Sequence, residues 1–144
     1  MFANSGWNDP AGTDAYRRFS YLDAIKGETF TIDGHHFNLT RDLAMQNHYP
    51  AVDVLNSISR VMDDIVDEEH KQYARRLKEI LSTHRKAEDL INIGAYVSGS
   101  NPKIDYAIKM IDQINNYLRQ NIAESITFEE SLSDLKSLFE SSLN

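Results

Sequence analysis

Two regimes of hydrophobic patterning divide the chain. Residues 1–62 hold most of the glycines, two of the three prolines and most of the aromatics, in short mixed runs. From about Asp63 onward, Leu, Ile, Lys and Glu recur at helical spacing. Tyr73, Leu77, Ile80, His84, Ala87 and Ile91 follow one another at steps of three and four, with Leu81 and Leu90 widening the stripe, and this predicts a long amphipathic helix. Asp67, Glu68 and Glu69 sit at its start, where the helix dipole favours negative charge. Gly94 is placed to end it, because glycine adopts the left-handed conformation that terminates helices.

Val97–Pro102 reads as a connection. Asn101 is a natural N-cap and Pro102 suits the first helical position. The stripe Ile104, Ile108, Ile111, Ile114 and Leu118 predicts the second helix. A third start lies at Thr127, with Glu130 three residues on in a capping-box arrangement, followed by Leu132, Leu135, Leu138 and Phe139. Three amphipathic helices with short links predict a helical bundle. Upstream, Glu28–Ile32 and His36–Leu39 flank Asp33-Gly34, a hairpin signal. Thr40 caps a short helix through Met45, and a further helix is expected from about Ala51 through Met62, after the break at Pro50. The predicted class is mainly α: a C-terminal helical bundle (63–144) preceded by a mixed α/β region (1–62).

Composition narrows the function. With 144 residues, 41% hydrophobic and 26% charged, the chain suits a globular protein with a sizeable core. No stretch approaches the roughly 18 apolar residues of a membrane span. Met1–Pro10 has neither a basic leader nor an apolar run, so export is not expected. The absence of cysteine excludes disulfides and thiolate chemistry and fits the cytoplasm. A net charge of −7 argues against nonspecific nucleic-acid binding. The local cluster Lys71, Arg75, Arg76 and Lys78 reads as a solvated helix face. No metal site is expected. His35 and His36 alternate faces of a strand, and His70 and His84 lie too far apart on a helix to share an ion. His84, on the apolar stripe, is expected to be a hydrogen-bonded core residue. The acidic run Asp63, Asp64, Asp67, Glu68 and Glu69 reads as dipole complement, with no catalytic role.

The run His48-Tyr49-Pro50-Ala51-Val52-Asp53-Val54-Leu55-Asn56-Ser57-Ile58-Ser59-Arg60-Val61-Met62 resembles the segment that ends the nucleotide-binding domain of flagellar and type III export ATPases. These are relatives of the rotary ATP synthase catalytic subunits. Leu39-Thr40-Arg41-Asp42-Leu43-Ala44 fits the same pattern. So does Ala87-Glu88-Asp89-Leu90-Ile91-Asn92-Ile93-Gly94-Ala95-Tyr96-Val97, which favours the export branch over synthase or vacuolar-type subunits and leans flagellar. The resemblance is close from about Leu39 to Gly99 and continues in pattern to the C-terminus. Before Leu39 only Asn8-Asp9-Pro10 and Leu22-Asp23-Ala24 echo the family, and Ile25–His35 looks like an insertion.

The resemblance implies that residues 1–62 are the terminal part of a P-loop α/β nucleotide-binding domain and that 63–144 form a C-terminal helical domain. It places Arg60 at the arginine-finger position, reaching in trans to the γ-phosphate held by a neighbouring subunit. A guanidinium there meets charge spreading over phosphoryl oxygens. The plainer alternative is an exposed helix arginine paired with Asp64. Tyr49 is placed to stack on adenine; the plainer alternative is packing on Pro50. Ile93 and Tyr96 lie in a stretch expected near the same pocket. The chain contains no G-x-x-x-x-G-K-[ST] loop, so alone it is expected to be inactive. ATP and Mg belong to the full-length enzyme. Implied partners are the other subunits of a homohexamer, a coiled-coil stalk protein, export chaperones and the membrane export gate. Candidate docking surfaces are the Lys71–Lys78 face and the helix from Phe128. A competing reading, of another class, is a stand-alone helical adaptor of an export system without any nucleotide role.

Overall fold

The computed structural model describes residues 29–32, 35–121 and 123–140. It is mainly α, as the patterning predicts. Strands β1 (Thr29–Ile32) and β2 (His35–Asn38) pair antiparallel, with Phe30 opposite Phe37. The Asp33-Gly34 turn and residues 25–28 of the expected insertion Ile25–His35 lie outside the described residues. A short third strand, β3 (Ile58–Ser59), adds to β2 antiparallel, giving the order β1-β2-β3. The remaining elements are helices: α1 (Arg41–Met45), α2 (Met62–Ile65), α3 (Glu68–Asn92), α4 (Pro102–Leu118) and α5 (Phe128–Glu140).

Local chemistry sets the helix ends. Thr40 caps α1 by accepting from the Leu43 N–H, and Asp67 caps α3 by accepting from the His70 N–H. Asn101 accepts from Lys103 and Ile104 at the start of α4, with Pro102 at its first position. Thr127 and Glu130 form the reciprocal capping box of α5. At the end of α3, Gly94 takes φ +68°. The Ala95 N–H bonds the Leu90 carbonyl and the Gly94 N–H bonds that of Ile91, the paired bonds of a Schellman motif.

The bundle core is Leu77 and Ile80 of α3, Ala107, Met110 and Ile114 of α4, and Leu135 and Phe139 of α5. Val54, from the first region, is buried in the same cluster. Tyr73 stacks parallel to Phe139, ring centroids 5.9 Å apart. Buried Ser131 meets the Tyr117 hydroxyl at 3.3 Å, so the polar atoms in the α4–α5 interface satisfy each other. Lys136 of α5 bonds Glu69, closing the open end of the bundle.

Four expectations change. No helix spans Ala51–Met62; that stretch is a bridge, a turn, β3 and a bend before α2. On α4 Ile114 is buried as the stripe predicts, but the other buried positions are Ala107 and Met110, each one before a predicted isoleucine, and Ile108 is 37% exposed. Small Ala107 lets α3 approach, which leaves the branched Ile108 on the outer side. His84 is only half-buried, and His70 is the enclosed histidine of α3, 5.8 Å from the Phe128 ring. Nor is the basic cluster a uniform solvated face. Arg76 turns inward, donating to the Tyr106 hydroxyl at 2.9 Å and lying 4.9 Å from the Phe139 ring centroid.

A Cβ at position 94 would meet nothing within 4 Å, so only backbone strain opposes a side chain there. Gly94→Ala is expected to destabilise the chain by about 1–2 kcal/mol, with Gly94→Asn milder. Urea unfolding measures this, and an unchanged midpoint for Gly94→Ala would refute the αL cap.

Candidate functional site

The segment from His48 to Arg60 carries both predicted site residues, and its geometry starts from Asp53. The Asp53 carboxylate is buried, at 5% relative exposure. It accepts from the backbone N–H groups of Leu55 and Asn56 at 3.0 and 3.2 Å, and from the Asn56 amide at 2.8 Å. Arg85 of α3 reaches both its oxygens at 3.2 Å. The Asp53 carbonyl, which a helix would bond to the N–H of residue 57, accepts the Ser57 hydroxyl at 2.6 Å instead. Ser57 Oγ also accepts the Asn38 N–H at 3.0 Å, and the Asp53 N–H bonds the Asn38 carbonyl at 2.7 Å. These bonds hold a tight turn against β2. They are the local side-chain competition that keeps Asp and Ser out of helix interiors, and they explain why the expected helix is not formed.

Burial alone would raise the Asp53 pKa. The hydrogen bonds from Arg85 and Asn56, with the Arg85 charge, outweigh that and hold it below the usual carboxylate range. His48 is buried beside this turn. Burial, and then the charge of Arg119, keep its imidazole below its ordinary value. Burial does the same to His70.

Tyr49 precedes a cis bond to Pro50. Its ring is half-buried against the small cluster of Leu39, Ala51, Leu43, Ala44 and Val52. Its carbonyl accepts the Gln120 N–H at 2.8 Å, which ties it to the end of α4. Arg60 lies in the bend just after β3, exposed, with no ion-pair partner among the described residues. The pairing with Asp64, the plainer alternative for this arginine, does not form. A cleft of about 420 Å³ between α4 and α5 is lined by neither Tyr49 nor Arg60. Of Ile93 and Tyr96, the first is 75% exposed, while Tyr96 donates to Asp105 at 2.9 Å within the α3–α4 connection. No three His, Cys, Asp or Glu among the described residues converge as metal ligands. No helix among them is long and apolar enough to cross a membrane.

Residues 66–137 match the family described as T3SS EscN ATPase C-terminal domain. The chain belongs to that family. The flagellum-specific ATP synthase of Bacillus subtilis is 45% identical over 116 residues, covering 81% of this chain and 26% of that protein. The type 3 secretion system ATPase of Pseudomonas savastanoi pv. phaseolicola is 35% identical over an equal length. Among solved structures, the assembled ATPase EscN of enteropathogenic E. coli in complex with its central stalk EscO superposes with a TM-score of 0.69 at 37% identity. That match covers 73% of this chain and 26% of EscN. The chain thus spans about a quarter of the length of the relatives it matches. This EscN-family module holds its Tyr49 and Arg60 segments on turns fixed by Asp53, Ser57, Arg85 and Gln120. Sequence periodicity did not single out these four. The available signal was turn chemistry, with Asp53 followed by Asn56 and Ser57 after a proline.

The shifted groups set the pH dependence of stability. His48 and His70 are depressed, so the unfolded chain takes up protons first on acidification. Stability is therefore full above about pH 6.5 and declines below it. Asp53, also depressed, contributes stability that is present above about pH 3.9 and lost as pH falls through its lower folded value. Urea midpoints from pH 8 to pH 4 are expected to stay level down to about 6.5 and then fall. A chain carrying His48→Gln and His70→Gln should lose most of the slope between about 6.5 and 5. A midpoint that rises on acidification through that window contradicts the assignment.

Proposed function

We propose that the chain is the C-terminal module of a homohexameric ATPase that energises flagellar protein export. Residues 1–62 complete the nucleotide-binding domain and 63–144 form the helical domain. The 53–57 turn is inlaid between them through Val54. The observation that carries this reading is Arg60: an exposed guanidinium without an ion-pair partner among the described residues, one residue beyond a strand that fixes its backbone. A cation so placed suits an anion outside its own chain. Identity of 36–45% to the flagellum-specific relatives, against 34–35% to the type 3 secretion ones, supports the flagellar branch.

The residues present fit two parts of a nucleotide. A half-buried tyrosine ring suits the base, and an unpaired guanidinium suits the phosphate of a neighbouring site. The subunit's own phosphates and Mg would rest on residues outside this chain, which has no phosphate loop. ATP supplies, when bound, the γ-phosphoryl group that passes to water. Arg60 meets the charge that develops on that group's oxygens in the adjacent subunit, where a preset donor needs no reorganisation. Tyr49 holds the adenine of its own subunit by stacking, which sets affinity and leaves the chemical step alone.

The helical domain is the part that meets partners. At the α3–α4 tip, Leu90, Ile93 and Val97 are exposed at 48, 75 and 70%. Such a patch suits a coiled-coil stalk, and EscN is described in complex with a central stalk, EscO. The outer face of α5 is the proposed docking surface for export chaperones. The assembly works in the cytoplasm, against the export gate at the membrane, with no role in nucleic-acid binding.

In the full-length ATPase, Arg60→Ala is expected to lower turnover by roughly 10³-fold or more while ATP binding is retained. Tyr49→Ala should raise KM for ATP several-fold with kcat little changed. Wild-type turnover in Arg60→Ala would sink the finger assignment.

A further inference from the structure

The Arg60 backbone is held from two sides, and one of them is the helical domain. On the first side, β3 pairs with β2, Ser59 opposite His35 and Ile58 opposite His36. On the second, the turn that leads into β3 is fixed by Asp53, and Asp53 is gripped by Arg85 from the middle of α3. The connection is continuous. Arg85 bonds the Asp53 carboxylate, the Asp53 carbonyl takes the Ser57 hydroxyl, and Ser57 stands three residues before Arg60. The pair is asymmetric in exposure, with the Arg85 side chain 50% exposed and that of Asp53 7%. The aspartate is therefore the buried, immobile partner and the arginine is the reach from α3. Arg60 has no ion pair of its own among the described residues, so its direction is inherited from this backbone.

We infer that Arg85 is a positioning residue for Arg60: through Asp53 it aligns the finger with the orientation of the long helix, so that movement of the helical domain and placement of the finger are coupled. This rests on the reading of Arg60 as a trans-acting finger. Small displacements of a catalytic group are costly, since a 1 Å misplacement can lower a rate by about 10²-fold.

The test is a double-mutant cycle in the full-length ATPase, reading kcat, KM for ATP and thermal midpoint. Arg85→Ala is expected to lower kcat by roughly ten- to 10²-fold with KM within about twofold. Arg85→Lys, which keeps a charge within reach of Asp53, should recover part of the loss. In an Arg60→Ala background, Arg85→Ala should lower kcat no further, because the group it aligns is gone. Equal losses in both backgrounds would overturn the inference while leaving the finger assignment standing. So would wild-type kcat in Arg85→Ala. If Arg60→Ala alone leaves turnover intact, the finger reading fails and this inference fails with it. Should Arg85→Ala not fold, Arg85→Gln enters the same cycle, and the same outcomes decide.

Discussion

A carboxylate enclosed in a protein must be matched by donors or by a cation, because taking its charge out of water costs several kcal/mol. Asp53 is that carboxylate here, and much of the chain's geometry follows from how it is matched. Two backbone N–H groups and an amide close the turn around it, and Arg85 completes the set from α3. Those bonds bend the chain after Val52, deliver Ser57 to the edge of β2 and leave Val54 pointing into the bundle core. The mixed region and the helical region therefore share one buried cluster and one ion pair. Neither is a free appendage of the other.

The bundle itself is governed by its ends. Each long helix starts at a side-chain cap, and α3 stops at a glycine in the left-handed region, so helix lengths are fixed by local chemistry before packing acts. Packing then chooses the faces. The contact of α4 with both α3 and α5 needs a small residue at the crossing and a flexible one beside it, which Ala107 and Met110 supply. Of the isoleucines of α4, Ile114 joins the core and Ile108 is left on the outer side, and at the tip of α3 the apolar stripe runs on past the core into exposed positions. An amphipathic stripe longer than the core that it serves is a surface prepared for something else.

How much of this was legible in the sequence depended on the range of the forces involved. Caps, the capping box and the terminating glycine act within four residues, and Asn101, Thr127, Glu130 and Gly94 all did what their spacing implied. The mainly α class followed from the same local signals. Part of the α4 face differs from the stripe, with Ala107 and Met110 buried beside Ile114, because four isoleucines at helical spacing outweigh an alanine and a methionine in any periodicity count. Which face is buried is a property of the neighbours. The 51–62 segment was misread because Ala51, Val52, Val54, Leu55 and Ile58 mimic a helical stripe, while Asp53 and Ser57 were competing for the backbone. The partners that make that competition win, Asn38 and Arg85, lie 19 and 32 residues from the residues they bond. Periodicity within a short window carries no information about them. Of the site residues, Tyr49 and Arg60 came from a family resemblance, and Arg85 and Gln120 only from the fold.

The loss of the expected helix also bears on Arg60. A helix running through 60 would set Arg60 and Asp64 four residues apart on one face, where an ion pair forms at little cost. In a chain with 22 acidic and 15 basic residues, that is the ordinary fate of an exposed arginine. Here the chain bends at 60–61 and α2 begins only at Met62, with Asp63 and Asp64 in its first turn. Neither carboxylate forms an ion pair with Arg60. The same turn chemistry that buries Asp53 thus ends the periodicity that would have neutralised Arg60. An exposed arginine without an ion-pair partner among the described residues suits the trans role proposed for Arg60.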